Sequence, residues 1–317
     1  MVRATLLCSL VFAGAMAASA AVAEPVLEIQ DAALRVTVIP EARADIQVSI
    51  ASTNARLPIT VTRRGDHVIV QGRARGLATS CWNRGGRTGV NVAWFVPVAD
   101  DALPQIIVRA PLDVVMEVNH GAAIGTIGTA RSLRLGNSSC GSWRVGNISG
   151  RLAVMNAGSA TILAGDAGSA DVSLAGSGDM SLRQVVGPLA VRIRGSANLD
   201  GVSAGSAQID ISGSGDVHAG RVLSGLTTRT AGSGDITADA VDGVVAARIM
   251  GSGDVRVRGG RASTITATTM GSGDINFGGS ATSLDATIMG SGDVHVGAVS
   301  GPVRKLIRGS GEVTVGS

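Results

Sequence analysis

Eight positions, Asp179, Asn198, Asp216, Asp235, Asp254, Asp274, Asp293 and Glu312, put an acid or its amide at one fixed point of a recurring Gly-Ser-Gly-Asp phrase. Carboxylates repeated this way accept hydrogen bonds, share protons, or hold a hard cation. On backbones about 4.8 Å apart, neighbouring charges would repel by about 1 kcal/mol in water and about 3–4 kcal/mol at an effective dielectric near 20. Calcium, which favours clustered oxygen ligands, is the one cofactor candidate, with Asp216, Asp235, Asp254, Asp274 and Asp293 as its ligands. The calcium-binding repeats of toxin-type β-rolls have a nine-residue period and a G-x-G-x-D core. Here Asp follows Gly directly, which favours a turn whose carboxylate is satisfied by nearby backbone and Ser donors.

A second constellation is basic. Counted in the same frame, one column reads Arg192, Asp210, Arg229, Arg248, Thr268, Thr287 and Leu306. Arginine recognises carboxylate and phosphate through two parallel N–H donors, so Arg192, Arg229 and Arg248 form a candidate ligand face for an acidic glycan or lipid headgroup. Read more plainly, the column is a solvated sheet face. Met250, Met270 and Met289 form another column, read as corner packing.

Catalytic signatures are missing: there is no G-x-S-x-G elbow, H-E-x-x-H or paired metal-ligand spacing. His218 and His295 share a repeat position but lie four repeats apart, about 19 Å, too far to share a metal. The expectation is a protein that is not an enzyme. A glycan-active β-helix enzyme, which would work through clustered acids, and a calcium-stabilised passive scaffold are the alternatives. With 27 basic against 24 acidic side chains, the net charge of +3 is too thinly spread for a nucleic-acid partner.

These columns need a regular scaffold, and the repeat supplies it. The phrase starts at Gly176, Gly195, Gly213, Gly232, Gly251, Gly271, Gly290 and Gly309, at intervals of 19, 18, 19, 19, 20, 19 and 19 residues. Apolar residues alternate between phrases. One column reads Ile193, Ile211, Thr230, Ile249, Thr269, Ile288 and Ile307, and another Val191, Ile209, Thr228, Ala247, Ala267, Ala286 and Lys305. Period two marks strands, and two short strands per 19 residues make one coil of a β-solenoid. The fold class is therefore all-β, a single-stranded β-helix of 19-residue coils with an N-terminal cap of β-strands. Three Trp, three Phe and no Tyr suit a slim interior filled by stacked aliphatic ladders.

Three regions follow. Residues 1–23 read as a signal peptide: Arg3, an apolar run, and the small residues of "AVAEP" before Glu24. Residues 24–110 alternate without the 19-residue ruler and read as the cap, with "RGLATSCWNRGGRTG" as a surface loop; residues 111–317 are the solenoid. Cys81 and Cys140 are either a disulfide of an oxidising compartment or two free thiols. The apolar run at the start is too short for a membrane span, so the chain is expected not to be an integral membrane protein. The sequence ends at "GSGEVTVGS" with no recognisable cap, and Lys305, its only lysine, is expected to hinder strand addition there.

The iterated "GSGD[VI]" units after a strand-rich start, behind an export signal, resemble the GIN-domain family of bacterial envelope proteins, described as putative auto-transporter adhesin heads. The resemblance spans roughly residues 34–317. It implies a β-helical fold and an exported location, in the periplasm or at the cell surface, and it carries no catalytic or ligand residues with it; the partner expected is an envelope or surface ligand.

Overall fold

The computed structural model describes residues 24–73, 78–84, 87–92 and 96–316. The expected signal peptide at 1–23 lies outside the described residues. The chain forms a β-solenoid of about eleven turns with coils about 19 residues apart.

Each coil contributes strands to two parallel ladders. Strands that follow the Gly-Ser-Gly-Asp corner, such as Val217–Val222, Ile236–Val241 and Val255–Val257, form an Asp-side sheet. Strands that precede the next corner, such as Gly225–Gly232, Gly243–Ile249 and Arg261–Thr269, form an Arg-side sheet. In earlier coils the two join into long bent strands, Thr161–Leu174, Met180–Gly195 and Leu199–Gly213. At about 4.8 Å per coil, eleven coils extend roughly 50 Å.

Alternation explains the interior. Ile193, Ile211, Thr230, Ile249, Thr269 and Ile288 face inward and are at most 2% exposed. A fully buried Val, Ile or Leu contributes about 1.5–3 kcal/mol relative to an exposed one, and stacking repeats that gain in every coil. The few aromatics fit where glycine leaves space. Trp143 is fully buried over Gly125, where a Cβ would lie 2.1 Å from its ring.

The solenoid ladder also reaches upstream of the recognisable repeats. Strand Val26–Pro40 runs parallel to Asp113–Ile127 through both sheets. On its other edge it pairs, again parallel, with His67–Gln71 and Gln105–Ala110. Antiparallel strands Thr60–Arg64 and Gln47–Ser52 then cover those two. Turning back antiparallel is what hides the first edge of the stack.

The stretch expected as a surface loop is different in the structure. Strands Ala78–Arg84, Arg87–Val92 and Val96–Ala99 form a small antiparallel sheet. Val90 and Val98 from this sheet, with the partly buried Cys81, pack against Ala33 and Ala122 of the solenoid wall. Burial of these side chains against the solenoid wall, which no local stretch of sequence reports, sets the strands.

Candidate functional site

The corner fixes the acidic column by crowding. A Cβ on Gly253 would lie 2.1 Å from the carbonyl oxygen of Gly234, and one on Gly215 would lie 2.0 Å from that of Ala197. Only glycine lets successive coils approach this closely at the bend. Gly232 also has φ +145, in the region open to glycine. In an early coil, without the phrase, His120 (φ 58) takes the left-handed turn at the same bend.

With coils locked this closely, each acid has a fixed partner. One side-chain oxygen accepts the backbone N–H of the matching residue one coil on. Asp216 Oδ1 accepts from Asp235, Asp235 from Asp254, Asp254 from Asp274, each at 2.8 Å, and Asp293 accepts from Glu312 at 2.7 Å. Asn198 takes the same place, its Oδ1 accepting from Asp216 at 2.9 Å. An amide serves as well as a carboxylate because the column needs an acceptor at each step. Among the described residues no three His, Cys, Asp or Glu side chains converge as a metal cluster would.

The basic column lies on the outer face of the Arg-side sheet, in the register the repeat implies. Arg192 pairs with Asp210, Asp210 with Arg229, and Arg229 with Arg248 along the ladder. Their environments differ. Arg192 Nη1 lies 3.3 Å from Asp171, which also holds Arg151 at 3.0 Å. Asp210 accepts from Gln208 Nε2 at 3.1 Å. Among the described residues neither Arg229 nor Arg248 has a carboxylate within 4.0 Å, and Arg248 Nη2 lies 3.9 Å from the sulfur of Met270. Both guanidinium groups are exposed.

Beside these arginines the outer face is hollowed. A trough of about 590 Å³ runs from Arg151 past Ala190, Ser206 and Thr227 to Val244. It adjoins a second hollow of about 270 Å³ lined by Asp210, Arg229, Ala246, Arg248, Thr266 and Thr268, the two sharing Gln208 and Thr227. Small outward residues create the depression. The hollow was not among the sequence expectations, although the column Ala190, Gln208, Thr227 and Ala246 can be read from the same ruler, two residues before the arginine column.

Other candidates take separate places. Cys81 and Cys140 form a disulfide with Cα atoms 5.8 Å apart, tying the small antiparallel sheet to the solenoid wall. His218 and His295 fall in one Asp-side column with Thr237, Arg256 and Asn276 between them, and His295 Nδ1 is 2.9 Å from Thr314 Oγ1. Met250 and Met289 are half-exposed at the corner. The clearest carboxylate perturbations are structural. A hydrogen bond from Arg183 holds Asp166 below the usual carboxylate range, and one from Arg131 does the same for Asp113.

Fold and surface define a parallel β-solenoid with an acceptor ladder at its corner and an arginine-bearing outer sheet. The family model for the putative auto-transporter adhesin, head GIN domain, matches residues 101–221 and 222–316, and the chain belongs to that family. No curated protein matches it. A crystal structure of a putative lipid binding protein from Parabacteroides distasonis is similar at 19% identity, over 92% of each chain, with a TM-score of 0.34. Among the described residues no helix is long and apolar enough to cross a membrane.

Proposed function

We propose that this chain is an exported β-solenoid module of the bacterial cell envelope that works by binding, holding a ligand-contacting face rigid along the solenoid. The observation that carries the reading is the register of the Arg-side sheet. Arg192, Asp210, Arg229 and Arg248 occupy matching positions of consecutive coils, so the backbone ladder sets their spacing. A surface fixed this way loses little conformational entropy when it binds. Family membership and the disulfide agree with an oxidising location outside the cytoplasm. The acids of the corner ladder are already engaged with backbone N–H groups, and they stand in single file instead of in facing pairs.

Two measurements test this. N-terminal sequencing of the protein recovered from cells is expected to begin at Glu24, and an intact Met1 start would remove the export claim. Purified protein mixed with isolated envelope fractions is expected to co-sediment with one of them and to release no soluble sugar. Failure to sediment with any fraction, or time-dependent release of reducing ends, would overturn the binding reading.

A further inference from the structure

We infer that the Arg-side trough is a binding site for an acidic polysaccharide lying along the solenoid axis, with Arg229 and Arg248 as its anion clasp. This rests on the binding-module reading and names the ligand class for that same face. Three features of this face support the assignment.

The first is charge. Of the three column arginines, Arg192 is engaged with Asp171, while Arg229 and Arg248 have no carboxylate within 4.0 Å among the described residues. They sit in register on consecutive coils, about 4.8 Å apart. Two like charges at this spacing repel by about 1 kcal/mol in water, a cost that an anion bound between them removes. A guanidinium offers a fork of donors matched to a carboxylate or sulfate, so the pair can hold one acidic group between them or two successive ones.

The second is lining. Around and beside the arginines stand Thr227, Thr266, Thr268 and Ser206, hydroxyls that both donate and accept. This suits a chain dense in hydroxyl groups. Among the described residues no aromatic side chain lines either hollow, so they offer no stacking platform of the kind neutral sugars favour, and charge is left to supply the affinity. The hollows are open, and their lining includes small residues such as Ala190 and Ala246.

The third is direction. The trough crosses the coils from Arg151 to Thr266, about 29 Å at coil spacing. It therefore runs along the stack, and its step per coil is close to the length of one extended sugar residue. An extended acidic glycan can place its hydroxyls against successive coils while one uronic carboxylate reaches the clasp.

The test uses titration calorimetry of the purified protein with three polymers: polygalacturonate, its fully methyl-esterified form and dextran. Polygalacturonate is expected to bind, with affinity falling as salt rises, and the other two are expected not to. The double variant Arg229→Gln/Arg248→Gln should weaken binding at least tenfold. A charge-matched control, Arg144→Gln/Arg256→Gln on the Asp-side sheet, should leave it within twofold. Equal losses in both double variants would reduce the effect to general charge attraction and overturn the site. So would a wild-type protein that ignores polygalacturonate, or one that instead binds phosphatidylglycerol vesicles or poly-glutamate through the same two arginines. Either result would leave the envelope co-sedimentation above to decide the broader reading independently. Circular dichroism melts of each variant confirm that the fold is intact.

Discussion

At the scale of single residues, the Gly-Ser-Gly-Asp phrase does two separable things. Its glycines remove Cβ atoms that would collide with the coil beneath, and its acid accepts one N–H from the coil above. The two roles predict different mutational costs. Gly253→Ala puts a methyl 2.1 Å from a backbone carbonyl, so the corner must shift, and a loss of about 1–3 kcal/mol is expected. Gly259→Ala places its methyl 3.9 Å from the nearest atom, with φ outside the left-handed region, and should change stability by less than about 0.5 kcal/mol. Equal losses at the two sites would remove the crowding argument. For the acid, Asp254→Asn keeps the oxygen that Asp274 donates to, as Asn198 does naturally, and should be near neutral. Asp254→Ala leaves that N–H unpartnered by protein and should cost about 1 kcal/mol. Added calcium is expected to leave the melting temperature of the wild type unchanged. A calcium-dependent rise that Asp254→Asn abolishes would mean instead that the ladder binds metal.

At the scale of elements, the repeating half was legible because its period repeats many times. Each coil is built from the same alternation, so inward and outward faces follow from counting, and the columns of isoleucine, threonine and arginine fall in the ladder as read. The non-repeating half was less legible. Strand Val26–Pro40 pairs through both sheets of the solenoid, yet its neighbours His67–Gln71 and Gln105–Ala110 are far along the chain, so no ruler points to them. The small antiparallel sheet is set by burial of Val90 and Val98 against Ala33 and Ala122, information that no local window holds. The trough was hidden for another reason: its signal is smallness, Ala190 and Ala246 where bulk is absent, and a column of small residues has no chemistry of its own to attract notice. The disulfide spans 59 residues, which in the chain-entropy account corresponds to about 4 kcal/mol. Replacing Cys81 and Cys140 together by Ala should therefore lower stability by about 2–4 kcal/mol. Because the bond joins the small sheet to the wall, limited proteolysis should cut first between residues 73 and 96. First cuts in the solenoid repeats would show that the bond stabilises a different region.

At the scale of the whole molecule, charge and edge exposure set behaviour. Asp113, Asp166, Asp45 and Glu41 are all held below the usual carboxylate range by hydrogen bonds from Arg131, Arg183 and Arg43. The folded state thus binds these protons less tightly than the unfolded chain. The stability they contribute is fully present above the unfolded carboxylate pKa, about 4, and is lost as pH falls through the lowered folded values. Melting temperature should be level from about pH 5 to 8 and fall below about pH 4, with a shallower acid limb in Asp113→Asn/Asp166→Asn. The two ends of the stack differ in kind. Antiparallel strands cover the first, whereas the outer face of strand Val303–Ile307 is uncovered among the described residues. Val303 and Ile307 continue inward columns that are almost fully buried in earlier coils, but here they are 39% and 42% exposed. Lys305 lies between them, in register with the buried Ala286, and its Nζ donates to the carbonyl of Val313 at 2.7 Å. A charge on the inward face of an open edge opposes apolar stacking of another chain, because association would bury it. Lys305→Val should therefore increase concentration-dependent self-association over the wild type in sedimentation velocity. Lys305→Arg, which keeps the charge, should sediment as the wild type does. If the valine variant sediments as the wild type does at every concentration, the lysine is not what guards this end.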